Sequence, residues 1–444
     1  MGDWQNCTLG DLVKFKGGSV FPKDAQGLTS GDLPFAKVSD MNAAANWRSL
    51  TGAENWLSVD QAKKLRTTIH EPGAVAFAKI GIALTYNRRR QIVRPTLLDN
   101  NMMSAQPLPG KLNSIFLYYL LQTIDFNEVS AGSALPYLTV GSLNKIAVSV
   151  PCIEQQCSIA DLLGSLDDKI ELNRRMNDTL EAMTQAIFRD WFVDFGPTQR
   201  KLDGVTDPVE IMGGLVSDHD RARELADLFP ARLGDDGLPE GWEERPLLDQ
   251  ASWVNGAAYK NMHFCNNPDA LPVIKIAELK NGVTAGTKWT NSDLGERYRI
   301  SDGELLFSWS GNPDTSIDTF IWTGGDAWLN QHIFAVRKNG NRSLTSLYVI
   351  LRYLKPQFAE IARNKQTTGL GHVTKEDMKR LRISTASPDL LHAFDELVAP
   401  LVDLLRNRLF EIKTLATSRD LLLPKLMSGE ISVSGTYGLL EAAQ

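Results

Sequence analysis

The stretch PFAKVSDMN at residues 34–42 returns as PVIKIAELKN at residues 272–281, so one pattern occurs twice in this chain. Two later pairs follow in the same order: LYYLL at 117–121 with LYVIL at 347–351, and YLT at 137–139 with HVT at 372–374. The spacing between partners stays near 235 residues, and small loop insertions explain its drift. We therefore predict two similar globular units, each with short buried strands and helices.

Each unit is followed by a segment whose apolar residues recur at alternating steps of four and three, which is the heptad spacing of a coiled coil. The first stripe contains Ile159, Leu163, Leu166, Ile170, Leu180, Ile187 and Trp191, and the second contains Leu391, Phe394, Val398, Leu401, Leu405, Ile412 and Leu415. Two such stripes in one chain predict two long helices that pack on each other. Asn173 and Asn177 interrupt the first stripe, and we interpret them as polar residues that set the helix register.

The length of 444 residues exceeds what one hydrophobic core usually supports, which favours several domains. The start of the chain lacks the pattern of a signal peptide and no long uncharged apolar run occurs, so we expect a cytoplasmic protein with no membrane contact. The four cysteines lack zinc-site spacing, so we expect free thiols and no metal site.

The net charge of −6 argues against nucleic-acid binding at first sight, but the charge is unevenly distributed. Lys and Arg outnumber Asp and Glu by 15 to 11 in residues 1–153 and by 18 to 15 in residues 241–386, whereas the remaining segments are acidic. Both predicted globular units are thus mildly basic. This balance permits DNA binding without requiring it.

The familiar motifs of catalysis are missing. The sequence contains no phosphate-binding loop, zinc-protease motif, nucleophile elbow or dinucleotide fingerprint. The six histidines are dispersed along the chain. We therefore expect no catalytic residues, although an enzyme with an unfamiliar centre is an open alternative.

Basic, amide and aromatic residues beside glycine turns are the candidates for contacting DNA. Arginine can bond guanine, Asn or Gln can bond adenine, and lysine contacts phosphate. The candidates are Lys79, Tyr86, Asn87, Arg88, Arg89, Arg90 and Tyr137 in the first unit, and Lys260, Trp309, Ser310, Asn312, Gln331, Lys365 and His372 in the second. The alternative interpretation is that the arginine triplet is a solvated turn and that the glycine-rich stretches 132–137 and 365–372 are ordinary turns.

Five segments carry a resemblance to the specificity subunit of type I restriction-modification systems, and together they span nearly the whole chain. They are LGDL at 9–12, FRDWF at 188–192, LPEGW at 238–242, LNQHIF at 329–334 and LPKLMSGEI at 423–431.

The resemblance implies an α+β fold with two similar mixed α/β target-recognition domains. Two long antiparallel helices, forming an intramolecular coiled coil, would separate them with pseudo-twofold symmetry. The expected division is a first recognition domain at 1–153, a spacer helix at 154–195, a connector at 196–240, a second recognition domain at 241–386, a second spacer helix at 387–424 and a tail at 425–444.

The resemblance also implies a non-catalytic subunit that recognises double-stranded DNA, each domain reading half of a bipartite, asymmetric site. The implied partners are two methyltransferase subunits and the restriction subunits, which are nucleases and translocases. S-adenosylmethionine, ATP and Mg²⁺ would then be bound by those partners, with no cofactor on this chain. A scaffold that binds only proteins is the alternative, and it predicts no steep salt dependence of DNA affinity.

Overall fold

We describe a computed structural model of the protein. It describes residues 4–23, 26–132, 135–365 and 370–433. Two parts of the predicted glycine-rich stretches, residues 133–134 and 366–369, lie outside the described residues, as do residues 434–444 of the predicted tail.

The chain forms two compact units. Unit 1 contains Met1–Ile170 and Thr414–Gln444, and unit 2 contains Glu171–Lys413. Each unit therefore includes part of both long helices, unlike the domains expected from the sequence. The reason is that each globular part packs its core against the helix segments beside it.

Unit 1 is built from short strands and helices that precede the first long helix. Its strands are β1 (Gln5–Thr8), β2 (Val13–Gly17), β3 (Leu33–Ala36), β4 (Ser49–Leu50), β5 (Asn55–Leu57), β6 (Ile69–His70), β7 (Val75–Ala78), β8 (Arg89–Ile92), β9 (Thr96–Leu98), β10 (Met102–Pro107) and β11 (Ala147–Val150). Its short helices are α1 (Leu9–Leu12), α2 (Val59–Lys64), α3 (Ile82–Thr85), α4 (Ser114–Gln122), α5 (Phe126–Val129) and α6 (Val140–Asn144). The first long helix, α7, is Ile153–Phe192.

Unit 2 continues with the same kinds of element. Its short helices are α8 (Gly196–Leu202), α9 (Pro208–Ile211), α10 (His219–Asp227), α11 (Ile276–Asn281), α12 (Leu344–Tyr353), α13 (Lys355–Asn364) and α14 (Lys375–Arg380). Its strands are β12 (Glu243–Pro246), β13 (Ser252–Asn255), β14 (Leu271–Ile274), β15 (Trp289–Thr290), β16 (Arg299–Ile300), β17 (Leu305–Ser308), β18 (Ser310–Gly311), β19 (Asp318–Ile321), β20 (Ala327–Leu329), β21 (Ile333–Arg337), β22 (Gly371–His372) and β23 (Arg382–Thr385). The second long helix, α15, is Pro388–Met427.

The sheets of the two units share one strand order, and the main sheet of unit 1 has a fifth strand, β4, at one edge. The main sheet of unit 1 has the order β2-β10-β7-β8-β4, and that of unit 2 has the order β13-β21-β17-β19. A second sheet has the order β5-β3-β9-β6 in unit 1 and β15-β14-β20-β16 in unit 2, each with a central parallel pair. A two-stranded sheet joins the first and last strands of each globular part. This shared order confirms the prediction of two similar mixed α/β units.

Matching helices begin at matching caps in the two units. The side chain of Asn113 accepts hydrogen bonds from the first turn of α4, and that of Ser343 does so for α12. Thr139 caps α6 and Thr374 caps α14, each within a capping box. These residues satisfy backbone donors that a helix start would otherwise leave unpaired.

Within unit 2, the segments of α7 and α15 run antiparallel. Phe192, at the end of α7, packs on Phe394, near the start of α15, with 5.0 Å between ring centroids. Asn173 lies earlier on α7 and donates a hydrogen bond to Glu411, which lies later on α15. Asn173 also accepts a hydrogen bond from Arg408 at 2.6 Å. The polar residue expected to set the register therefore has charged partners on the facing helix.

Both long helices end for local reasons that shift them from the predicted bounds. Helix α7 stops three residues early because Val193 and Asp194 both donate to the carbonyl of Arg189, and Phe195 takes a left-handed φ of 51°. Helix α15 ends just before Ser428, and Gly429 follows with a φ of 73°. Glycine at such a position is a common helix stop.

The connector after α7 is more ordered than expected, since its glycine and proline residues predicted a segment with one short helix at 221–228. It forms three short helices, α8 to α10. Met212, Leu225 and Phe229, which lie in or just after these helices, join the core of unit 2 beside Trp191. Burial of these apolar side chains explains why the segment folds.

Candidate nucleic-acid interface

In unit 1, three chain segments meet at the end of strand β7. The backbone N–H of Lys79 donates to the carbonyl of Asn101 at 2.9 Å, and the carbonyl of Lys79 accepts from Leu138 at 2.8 Å. Tyr137 pairs with Ile80 in an isolated bridge. These bonds bring Lys79, the turn between β9 and β10, and Tyr137 together.

Unit 2 repeats this arrangement at the end of strand β17. The N–H of Trp309 donates to the carbonyl of His332, and the carbonyl of Trp309 accepts from Val373 at 2.8 Å. His372 pairs with Ser310 in the short sheet of β18 and β22. Trp309 therefore occupies the place of Lys79, and His372 occupies the place of Tyr137.

We call these clusters the first site, defined by Lys79, Asn100, Asn101 and Tyr137, and the second site, defined by Trp309, Gln331, His332 and His372. Both present polar or aromatic side chains at a strand end. Asn100, Asn101, Tyr137, Gln331 and His372 are exposed, and Lys79, Trp309 and His332 are half-buried.

Next to each site, a glycine allows two backbone segments to pack in close contact. A Cβ on Gly18 would lie 2.0 Å from the carbonyl oxygen of Asp99, and one on Gly256 would lie 2.2 Å from that of Asn330. Any side chain at either position would push away the turn that carries the site. Neither glycine was predicted from the sequence.

The arginine triplet divides into one half-buried cation beside an exposed tyrosine and two structural cations. Arg88 stacks over the ring of Tyr86 with 4.6 Å between guanidinium carbon and ring centroid, and Tyr86 is 60% exposed. Arg90 donates at 2.7 Å to the carbonyl of Met41, which ties it to the interior of unit 1. Arg88 and Tyr86 are thus available to a ligand.

Arg89 is 1% exposed and serves the fold of unit 1. Its guanidinium donates to the carbonyls of Asn87 and Ile124 and lies 4.0 Å from the ring centroid of Phe126. Burial lowers the pKa of Arg89 to about 10, although Asp125 opposes the shift, so the group is charged at neutral pH. The guanidinium of Arg89 is therefore engaged within unit 1.

Asn87 also stabilises the fold of unit 1. It has a left-handed φ of 52°, donates to Asp125 and accepts from the backbone of Phe126. Asn tolerates this backbone conformation better than most residues, which explains its place in the turn.

Among the candidates of unit 2, Asn312 and Lys365 already have partners within the unit. The side-chain oxygen of Asn312 accepts from the backbone of Asp314 and Thr315, which closes a turn. Lys365 forms an ion pair with Asp377 at 2.5 Å. Lys260 is exposed in the loop after β13, and its side chain is available.

Two parts of the candidate interface were not predicted from the sequence. Asn100 and Asn101 match Gln331 and His332 because LDNNM at 98–102 aligns with LNQHI at 329–333. The repeat itself was the signal that could have identified them. Asn255 is a second omission, since its side chain accepts from the indole N–H of Trp309 at 2.9 Å.

The chemistry of the two sites differs. The first offers a lysine, two amides and a phenol, and the second offers an indole, an amide and two imidazoles. These groups can hydrogen-bond base edges or phosphates and can stack on bases. Among the described residues, no group of three His, Cys, Asp or Glu is placed to hold a metal ion. None of the helices in the described ranges is both long and apolar enough to cross a membrane.

Comparisons with known proteins agree on one family. The family model of the type I restriction modification DNA specificity domain matches residues 1–182 and 239–389. The chain is 27% identical over 378 residues to the HindI specificity subunit of Haemophilus influenzae, covering 75% of this chain and 82% of that protein. It is 24% identical to the MjaIX specificity subunit of Methanocaldococcus jannaschii, covering 97% and 94%.

A solved structure supports the fold. The crystal structure of the type I restriction-modification S subunit from M. genitalium aligns over 96% of both chains with a TM-score of 0.54 and 13% identity. This structural similarity shows the fold alone. The family model matches the sequence, and it covers most of the chain. The repeated topology, the two long helices and the matched sequence place this chain in the family of type I restriction-modification specificity subunits.

Proposed function

We propose that this chain recognises a bipartite double-stranded DNA sequence, with unit 1 reading one half and unit 2 the other. The observation that carries the proposal is the construction of one strand-end site in each unit with different side chains. A repeated scaffold explains why both sites suit the same kind of ligand, and the different side chains suit two different half-sequences.

The chemistry of each site supports contacts to both backbone and bases. Lys79 and Arg88 in unit 1 and Lys260 in unit 2 suit phosphate contacts, which position a protein on the duplex. Tyr137, Gln331 and His372 are exposed at the strand ends and suit contacts with base edges. A wrong base pair then costs about 1–3 kcal/mol of binding energy.

We assign methyl transfer and DNA cleavage to partner subunits. In this proposal two methyltransferase subunits dock on the chain, restriction subunits join them, and S-adenosylmethionine, ATP and Mg²⁺ are bound by those partners. The absence of familiar catalytic motifs from the sequence supports the assignment.

A face of α7 within unit 2 supports the docking of a protein partner. Leu172, Met176 and Met183 recur at helical spacing, and Leu172 and Met183 are exposed. Exposed apolar side chains along one face are typical of protein interfaces. We place one methyltransferase contact on this face.

Docking is tested by charge insertion on that face. The double variant Leu172→Asp and Met183→Asp should lose co-purification with the methyltransferase subunit while its helical circular dichroism stays unchanged, because the residues are exposed. The control variant Asp178→Ala lies on the same helix away from this face and should co-purify normally. Normal co-purification of the double variant would contradict the placement.

DNA recognition is tested by footprinting the full chain together with its methyltransferase subunits. We expect two protected blocks on a specific duplex and a steep fall of affinity with salt. One continuous or sequence-independent footprint would contradict bipartite recognition, and a shallow salt dependence would favour a protein scaffold.

A further inference from the structure

A chain of side-chain contacts leads from strand β13 to the exposed tip of the second site. The indole N–H of Trp309 donates to Asn255, which fixes the rotation of the indole. The Trp309 ring packs against His332 at 5.6 Å and against Phe334 at 5.9 Å between centroids. His332 is therefore held by an aromatic neighbour whose own orientation is fixed.

His332 in turn contacts Gln331. The Nε2 atoms of the two side chains lie 3.3 Å apart. The other ring nitrogen of His332, Nδ1, is buried and has no hydrogen-bond partner among the described residues. Contact with Gln331 is thus the polar interaction that the structure provides for this imidazole.

This contact leaves Gln331 able to bind a further group. If the amide donates to His332, its oxygen and second N–H are free; if the amide is turned over, one oxygen lone pair and both N–H groups are free. In either orientation an exposed acceptor and an exposed donor stand side by side. Adenine presents the matching pair in the major groove, the N7 acceptor and the N6 amino donor.

We propose that Gln331 is a specificity-determining residue that reads an adenine in the half-sequence bound by unit 2, and that His332 is its positioning residue. The inference rests on the proposed function, since it requires the second site to face DNA. His332 restricts the rotation of the Gln331 amide, and Trp309 with Asn255 restricts His332. A side chain already ordered before binding loses less entropy on contact with its base.

Unit 1 has different side chains at the matching positions. There Lys79 stands in place of Trp309, and Asn101 stands in place of His332. The first site therefore lacks the aromatic pair that orients Gln331. Asn100 occupies the position of Gln331 and provides a matched comparison.

The test is selection of duplexes from a library with randomised positions, using the full chain in complex with its methyltransferase subunits. We expect the wild-type complex to prefer adenine at one or more positions of one half. Gln331→Ala should reduce that preference about tenfold or more at one position while keeping the others. Gln331→Glu should move the preference at that position toward cytosine, whose N4 amino group a carboxylate accepts.

Further variants separate positioning from stability. His332→Leu should weaken the preference at the same position alone, an effect that a general loss of folding would not produce. Gln357→Ala changes an exposed glutamine on α13 and should alter no preference. Asn100→Ala should change preferences only in the other half.

The proposal is overturned if Gln331→Ala keeps every preference of the wild type within about twofold, or if the position it affects does not select adenine. Failure of the proposed function looks different, because the wild-type complex would then show no preference at any position. Retention of the preferences in the other half shows that each variant is folded and assembled.

Discussion

Neighbouring arginines in this protein have different tasks, and only contacts reveal them. Arg88 and Arg89 are adjacent, yet one stacks on an exposed tyrosine and the other is enclosed by backbone carbonyls and Phe126. The triplet predicted a basic turn, but it did not indicate which guanidinium is buried and hydrogen-bonded within the fold. Backbone carbonyls distant in sequence decide that, and no local pattern encodes them.

This division predicts opposite results for two adjacent substitutions. Arg88→Ala should leave the free energy of unfolding within about 0.5 kcal/mol of wild type and reduce the slope of log affinity against log salt by about 1, since one phosphate contact is lost. Urea unfolding and DNA titrations at several salt concentrations measure the two quantities.

Arg89→Ala should instead destabilise unit 1 by about 2–4 kcal/mol, because two partly buried backbone carbonyls lose their donor and the Phe126 ring loses its cation. Equal loss of stability in both variants would contradict the assignment, as would an unchanged salt slope for Arg88→Ala.

At the scale of elements, capping positions the strand ends that carry the sites. Asp377 accepts from the backbone and side chain of Thr374 and from Lys365, and it fixes the start of α14 just after His372. Burial alone would raise the pKa of Asp377, but these hydrogen bonds outweigh it and lower the pKa below its usual value of 3.8. Lys365, expected on the DNA, is thereby part of the cap.

Because the pKa of Asp377 is lowered, the stability that this cap contributes depends on pH. Its stabilisation is present in full above about pH 4 and is lost as the pH falls through the lowered pKa, because the folded state must then bind a proton. Asp377→Asn should destabilise unit 2 by about 1–2 kcal/mol at pH 7, and the difference from wild type should shrink below about pH 4. Urea unfolding at a series of pH values measures this difference.

The exposed neighbour provides the control for the cap. Glu376→Gln changes a carboxylate on the same helix that is 3.8 Å from Arg380 at the surface, and it should have little effect at any pH. A difference for Asp377→Asn that persists undiminished at low pH would show that the carboxylate charge is not its cause.

The glycine behind the second site gives a further prediction for this element. Gly256→Ala should destabilise unit 2 by about 1–3 kcal/mol and weaken recognition of its half-sequence, because the new methyl would collide with the backbone of the turn before Gln331. Gly286→Ala should be tolerated, since its Cβ would lie 3.8 Å from the nearest atom. Thermal unfolding and positional selection of DNA test both, and equal behaviour of the two variants would contradict the role of the close approach.

At the scale of the whole molecule, the repeat was the most informative part of the sequence. It predicted two similar units because the same buried strand, PFA at 34–36 and PVI at 272–274, precedes a similar helical turn in both. Heptad spacing predicted both long helices because their apolar residues keep this spacing past Gly164 in the first helix and Pro400 in the second.

The fold of the connector and the roles of several polar residues could not be predicted from the sequence. The connector folds through burial beside Trp191, and that tertiary contact outweighs its glycine-rich composition. Asn87, Asn312 and Lys365 were expected at DNA because they are polar and near glycine, whereas turn geometry and ion pairing occupy them. Sequence alone does not separate polar groups that close turns from those that face a ligand.

We propose that each unit reads its own half-sequence through its own strand-end site. The most direct measurement is duplex selection with the assembled complex, comparing Tyr137→Ala in the first site with His372→Ala in the second. We predict that each variant loses base preferences in one half only and that the two halves are different, separated by positions without preference. Loss of preferences in the same half by both variants, or across both halves by either one, would contradict the claim.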